Sequence, residues 1–214
     1  MINESAEDYL GAIYRLRGDH QTPLPLSRLQ EYFDFSRVSI HEMIQRLEEQ
    51  GFVTYHPYHG VLLTDSGETV AIALLRRHRL WERFLTDMLQ LPWDKAHEVA
   101  CQLEHAAPEV VTERLADLLG NPTACPHGAA IPPHFRESRG ELLTTLKAAE
   151  TEHVILRIWP EESEVLRFLK QVHLGPGSHL RVVQQTHQQT LAEVEGSVLS
   201  LPTHVAEAIW VTSI

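Results

Sequence analysis

Apolar residues recur at helical spacing through the first part of the chain and at strand spacing through much of the last part. Ala6, Tyr9, Leu10, Ile13, Tyr14 and Leu16 fall close to one stripe, which predicts a helix over residues 3–17. Ser5 is its expected N-cap, with Asp8 three positions on in an acidic first turn. After a break from Gly18 to Pro25, Leu26–Phe33 reads as a short helix and Arg37–Gln50 as a longer one. The longer helix carries Val38, Ile40, Met43, Ile44 and Leu47 inward and stops at Gly51. With the turn Asp34-Phe35-Ser36 between them, the pair forms a helix-turn-helix. Two β-prone runs follow, Phe52–Tyr55 and Val61–Thr64, around the turn-rich His56-Pro57-Tyr58-His59-Gly60, and read as the wing of a winged helix.

Thr64-Asp65-Ser66 can cap a long helix over Ser66–Leu89, with Val70, Ile72, Ala73, Leu74, Leu80, Phe84, Leu85 and Met88 as its apolar positions. Leu91-Pro92-Trp93-Asp94 ends it and caps a second helix, Lys95–Ala106; Pro108 suits the first turn of a third, running to Leu119. Three helices with apolar residues to spare can bury the excess against a twin, which predicts a homodimer. Residues 120–140 are rich in Pro, Gly and small residues and read as a connection. Strand runs are then expected at Leu142–Leu146, Thr151–Ile158, His179–Gln184, Leu191–Val194, Ser197–Leu201 and Ala208–Val211. A helical segment, Ser163–Gln171, interrupts them, and the set suggests a small β-barrel. The fold expected is mainly α with small β, divided at 1–65, 66–140 and 141–214.

In a winged helix the second helix of the motif enters the major groove with its first residues nearest the bases. The expected DNA-facing set is Ser36, Arg37, Ser39, His41, Glu42, Gln45 and Arg46, with Arg28 and the wing's His59 near phosphates. A winged helix can also serve protein contact alone. Charge weighs against strong unaided DNA affinity. The whole chain carries −11, and residues 1–65 hold five arginines, no lysine and ten carboxylates, a balance of −5. Two modules acting together, or a bound cation, would relieve this. No run of eighteen apolar residues occurs and the N-terminus lacks the pattern of a signal peptide, so a cytoplasmic, membrane-free protein is expected. Two cysteines are too few for a disulfide scaffold and remain available as thiolates.

The candidate chemistry lies in His78–His105. His78 and Glu82 stand four residues apart, sharing a helix face; His97, Cys101 and His105 follow at successive steps of four, with Glu104 beside the last. A thiolate, imidazoles and carboxylates converging from two helices suit a divalent first-row transition metal. Cys125 and His127 in the connection add two metal-capable side chains, and Glu161 and Glu164 stand at the start of the inserted helix, from which they can project.

These residues resemble the iron- and manganese-dependent repressors of the diphtheria toxin repressor and MntR family. The likeness runs nearly end to end, through EDYLGAIY, EEQGFVTYHPYHGVLLTDSG, LLRRHRLWERFL, LPWDKAHEVACQLEH, NPTACPHGAAIP and LRFLKQVHLGPGSHLRV. It implies an N-terminal winged helix-turn-helix, a helical dimerisation domain and a C-terminal SH3-like (FeoA-type) small β-barrel. It also implies a non-enzymatic repressor of metal-ion homeostasis, binding a palindromic double-stranded DNA operator as a homodimer and taking no small organic substrate. Two metal sites per subunit are implied. The primary one would use Asp8, Cys101, Glu104 and His105. Iron-type members place a Met where Asp8 stands and manganese-type members a Glu where Cys101 stands, so this chain is mixed. Gly11 stands where some manganese-type members have a Glu ligand. The ancillary site would use His78 and Glu82 with Cys125, His127 and Glu161; His97 and Glu164 belong to the alternative set used in the iron-type branch. Hard carboxylates suit Mn(II) and one thiolate draws toward Fe(II), so a response to both is expected, Mn(II) ahead, other divalent transition metals substituting in vitro. The competing readings are a metal-independent winged-helix regulator and a metalloenzyme. The latter needs an open coordination position, and the repeated Glu-x-x-His of di-iron bundles is missing.

Overall fold

A computed structural model of the chain describes residues 2–17, 22–133, 141–146 and 151–214. These fall into two compact units, Met1–Arg77 and His78–Ile214.

The first unit opens with α1 (Glu4–Leu16). Its cap is Asn3, whose extended backbone lets Oδ1 accept from the Ala6 amide at 2.9 Å. The expected cap, Ser5, lies inside the helix, and Glu4 and Glu7 rather than Asp8 occupy the acidic first turn. α2 (Leu26–Phe33) and α3 (Arg37–Glu49) follow, the chain turning at Asp34 in the left-handed region. Ser36 caps α3 by accepting from the Ser39 amide at 3.1 Å. Ile40, Ile44 and Leu47 are fully buried at steps of four and three. Val38, expected inward, is instead 67% exposed, because two residues before Ile40 is the far side of a helix. The hairpin pairs β1 (Val53–His56) with β2 (Gly60–Leu63), one residue from the expected limits. Gly60 is required there: it holds a positive φ, and a Cβ would stand 2.1 Å from the Leu24 carbonyl oxygen. Leu24 in turn bridges Val61, so the residues before α2 brace the hairpin. α4 (Asp65–Asp87) begins one residue early and ends two short of the expected Leu89, leaving Met88 exposed. Arg17 forks onto Glu68 at 3.0 and 3.1 Å, and Arg77 meets Glu7 at 2.8 Å, fixing α1 against this part of α4.

The second unit takes in the remainder of α4, α5 (Trp93–Leu103) and α6 (Glu109–Leu118). α5 starts at Trp93 behind Pro92. Asp94 is therefore not its cap; it is buried in the first turn, accepting from Lys170 Nζ at 2.9 Å. The helix stops at Leu103, so Glu104 and His105 lie in the turn after it. A β-rich layer follows: β3 (Glu141–Leu142), β4 (His153–Ile158), α7 (Ser163–Gln171), β5 (His179–Gln185), β6 (Gln189–Val194), β7 (Ser197–Pro202), α8 (Thr203–Ala206) and β8 (Ile209–Ser213). Leu143–Thr145, expected as strand, forms a single 3-10 turn, and the Thr151 run begins its pairing at His153. The strands are antiparallel in the order β3-β8-β4-β5-β6-β7, so among the described residues the hydrogen-bonded sheet stays open at β3 and β7. α7, which the sequence placed to the residue, lays Val165, Leu166 and Leu169 on this sheet's core with Ile155, Ile158, Leu180 and Val211. No helix among the described residues is long and apolar enough to cross a membrane.

Candidate metal centre

Four segments of the second unit deliver the site. The part of α4 after Arg77 presents His78 and Glu82 on one face, both fully buried. α5 presents His97 one turn before Cys101. The loop after α6 presents Cys125 and His127. Glu161 stands between β4 and α7. The loop is held in place by backbone bonds, Cys125 N–H to the Ala129 carbonyl at 2.8 Å and Ile158 N–H to the His127 carbonyl at 2.9 Å. Gly128 makes that approach possible, because it holds φ +86 and any Cβ would meet the Leu156 carbonyl oxygen at 2.0 Å. Arg79 Nη1 also donates to the Ala130 carbonyl.

Glu82 Oε1 is the hub. His78 Nε2 and His97 Nδ1 each lie 2.9 Å from it, and His127 Nδ1 lies 3.2 Å from it. Glu161 faces the same group, Oε2 at 3.5 Å from His97 Nδ1 and Oε1 at 3.9 Å from His127 Nδ1. Cys125 Sγ stands 3.9 Å from His127 Nδ1, and Trp93 stacks on the His127 ring at 5.2 Å between centroids. Burial works against a proton on His78, but the Glu82 charge and hydrogen bonds with Cys101, Glu104 and Glu82 overcome it and raise its pKa well above the ordinary value. His127 is raised well above its own by Glu82, Cys125 and Glu161 against the same burial. Glu82, for which burial alone would favour the proton, is lowered well below the usual carboxylate range by His78 and His127. Burial pushes the Cys125 thiol up, with the Glu82 charge adding to it.

The remaining expected ligands divide. Glu104 is buried and His105 half-buried; Glu104 Oε1 lies 3.5 Å from His105 Nε2. Its other oxygen, Oε2, accepts from His78 Nδ1 at 2.6 Å. His78 therefore touches both carboxylates, a link that sequence spacing did not reveal. Cys101 is exposed and close to His78 and His97. His97, which spacing grouped with Cys101 and the resemblance with His78, has both as neighbours. Asp8 is exposed on α1 of the first unit. Glu164 is exposed on α7 and joins none of the donor groups among the described residues.

The donor chemistry fits a divalent cation. Glu82 Oε2 and Glu161 Oε1 are buried with no hydrogen-bond partner, and the cluster faces His127 through Nδ1. An unsatisfied buried polar atom costs about 1–3 kcal/mol, and a cation among them would supply partners for carboxylate, thiolate and imidazole together. Trp93, against His127, is the wall that sequence reasoning missed; the LPWD run was read only as helix punctuation.

On the first unit, Arg37, Ser39, Glu42, Gln45 and Arg46 are exposed on α3, Arg28 on α2 and His59 at the hairpin tip. Arg28 is engaged with Glu31 at 3.8 Å and His41 packs edge-on against Tyr55. Ser36 and Ser39 are bound to each other as part of the cap. Phe35 in the turn before α3, Val38 on α3 and Tyr58 at the hairpin tip are exposed, 52%, 67% and 103%, and are not among the expected residues.

Three family models match the chain: the iron-dependent repressor N-terminal DNA-binding domain over residues 1–61, the iron-dependent repressor metal-binding and dimerisation domain over 64–133, and the FeoA domain over 143–213. The iron-dependent repressor IdeR of Mycobacterium tuberculosis is 30% identical, covering 99% of this chain and 98% of that protein. A solved manganese-dependent transcriptional repressor in complex with manganese superposes with TM-score 0.85 at 31% identity, covering 98% of this chain and all of that one. ScaR with bound Zn2+ gives 0.82 at 28%, with complete coverage of both chains. With its sequence and its fold both matched to these proteins, the chain belongs to the iron-dependent repressor family that includes the diphtheria toxin repressors and MntR.

Proposed function

We propose that the chain is a metal-activated DNA-binding transcriptional repressor of metal-ion homeostasis, cytoplasmic, dimeric, and responsive to Mn(II) and Fe(II). The observation that carries this reading is the buried cluster around Glu82, a polar core with two orphaned carboxylate oxygens in a family of metal-dependent regulators. A metal-independent regulator would have no use for that core.

Two sets of residues hold metal in this proposal. The buried set is His78, Glu82, His97, Cys125, His127 and Glu161; the second is Cys101, Glu104 and His105 at the end of α5, with Asp8 added on the strength of the resemblance alone. A bound divalent ion supplies positive charge and a fixed coordination geometry. His78 steadies Glu104 through Nδ1, so the two sets share one imidazole. Since Asp8 belongs to the DNA-reading unit and the other three ligands to the second unit, gathering them selects one arrangement of the chain, and metal shifts the population toward it. The added charge also offsets the carboxylates that outnumber cations in residues 1–65.

Val110, Val111 and Leu118 on α6, and Met88 and Leu89 after α4, are exposed apolar side chains suited to burial against a second copy. Two copies present two α3 helices, which matches a palindromic operator. The mixed donor set fits both the iron-dependent and the manganese-dependent relatives, with Mn(II) ahead.

The test is selection from a random-sequence duplex library by the full-length protein with Mn(II), then titration of the recovered DNA with Mn(II), Fe(II) and Zn(II) under anaerobic conditions. Wild type is expected to recover a palindrome, and Cys101→Ala to need at least about tenfold more Mn(II), the lower end of what disturbing a metal site does. An unchanged metal requirement in Cys101→Ala would overturn the second set.

A further inference from the structure

The buried centre offers six donor residues, a full octahedral complement, yet these side chains do not converge on one point: they fall into two overlapping sets. His78, Glu82, His97 and Glu161 place one ligand atom each within 4.8 Å of one another, and so do Glu82, Cys125, His127 and Glu161. The two sets have only the carboxylates in common. Glu161 divides its oxygens between them, Oε2 toward His97 at 3.5 Å and Oε1 toward His127 at 3.9 Å. Glu82 Oε1 faces His78, His97 and His127 at 2.9, 2.9 and 3.2 Å, leaving Oε2 buried with no hydrogen-bond partner. A carboxylate has two oxygens with about four lone-pair positions and can serve two cations at once. Paired ions in proteins commonly stand about 3.5–4 Å apart, a spacing that one carboxylate spans with its two oxygens.

We propose that this centre is dinuclear: His78 and His97 hold one divalent ion, Cys125 and His127 hold a second, and Glu82 and Glu161 bridge the two. The inference rests on reading the cluster as a metal centre and deepens that reading. The half built on two imidazoles draws nitrogen and oxygen donors from His78, His97, Glu82 and Glu161, with the Cys101 thiol, assigned to the other site, standing near both imidazoles, and it suits Mn(II) or Fe(II). The half built on Cys125 adds a thiolate and draws softer ions such as Zn(II). Trp93 closes the Cys125 side by stacking on His127, and all six ligands come from the same unit of the chain.

Low-temperature electron paramagnetic resonance of the full-length protein loaded anaerobically with Mn(II) tests this, together with metal content after dialysis. Wild type is expected to show the signal of an exchange-coupled Mn(II) pair beside the uncoupled ion of the Cys101 set. His97→Gln and Cys125→Ser are each expected to abolish the pair signal and to lower metal content by one ion per chain. Only uncoupled Mn(II) in wild type, with metal content unchanged by either variant, would show that the six donors serve one ion and would overturn the proposal while leaving the metal-responsive reading in place. Wild type retaining no ion at this centre would overturn both. The wild-type spectrum decides the question even if a variant fails to fold.

Discussion

His78 holds carboxylates at both ring nitrogens, Glu82 through Nε2 and Glu104 through Nδ1, which only an imidazolium can satisfy by donating twice. At the proposed centre, metal binding would compete with protons on His78, on His127 and on the Cys125 thiol, all of which have raised pKa values. Calorimetric titration with Mn(II) in buffers of different ionisation heats is expected to show proton release, and affinity should rise with pH; heats independent of buffer would contradict this. In the metal-free chain the sign runs the other way for stability. The imidazolium contributions of His78 and His127 are complete below their ordinary value of 6.5 and are lost as pH rises through the raised folded values. The Glu82 contribution is present above its ordinary value of 4.5 and is lost only as pH falls through its depressed folded value. A thermal melt of metal-free protein should then peak on the mildly acidic side and weaken toward alkaline pH, whereas metal-loaded protein should not weaken there. Because Glu104 orients His78, Glu104→Gln is expected to lower affinity at the buried centre about 10- to 100-fold, the usual effect of losing the partner of a ligating histidine; unchanged Mn(II) affinity there would show that the contact is incidental. Spacing in the sequence found His78, Glu82, His97 and Cys101 because they share helix faces. It could not find the His78–Glu104 bond, which depends on how α4 and α5 pack and on α5 ending before Glu104.

Among the elements, the loop carrying Cys125 and His127 depends most on a single residue. Gly128→Ala combines a left-handed φ with a Cβ driven into the Leu156 carbonyl, and is expected to destabilise the second unit by more than about 1 kcal/mol. A thermal melt in chelator measures the loss, and an unchanged melting temperature would mean the loop can detach from β4 without consequence. Ser36→Ala is expected to remove about 1 kcal/mol through the α3 cap, and so to loosen the start of the proposed recognition helix. Element identity is readable where the apolar stripe is regular, as in α1, α3, α4 and α7, and in the hairpin where β-prone runs flank a turn-rich tip. The errors have local causes. Ser5 and Asp94 are good capping types standing one or two residues past the true starts, where Asn3 and Pro92 already end the extended chain. Val38 is apolar yet off the Ile40–Ile44–Leu47 stripe, and counting apolar residues without their angle turned it inward. Leu142–Leu146 is apolar enough for strand, but its chain closes a 3-10 turn after two paired residues.

Taken whole, the molecule carries −11, and among the described residues Arg28, Arg37 and Arg46 are the arginines of the proposed DNA-facing set. In the proposed dimer two heads would supply six such groups, so log affinity against log salt should have a slope no steeper than about −5; a markedly steeper slope would place additional cations at the interface. Composition and charge alone pointed away from DNA, and the winged-helix pattern pointed toward it. It was the motif likeness over nearly the whole length, later matched by relatives and solved structures, that settled the family. The central claim is that metal decides DNA binding. Fluorescence anisotropy of the selected operator duplex, read with Mn(II) or Fe(II) and then after excess chelator, tests it most directly. Tight binding with either ion that collapses in chelator is the expected result, and tight palindromic binding that persists in chelator would contradict it.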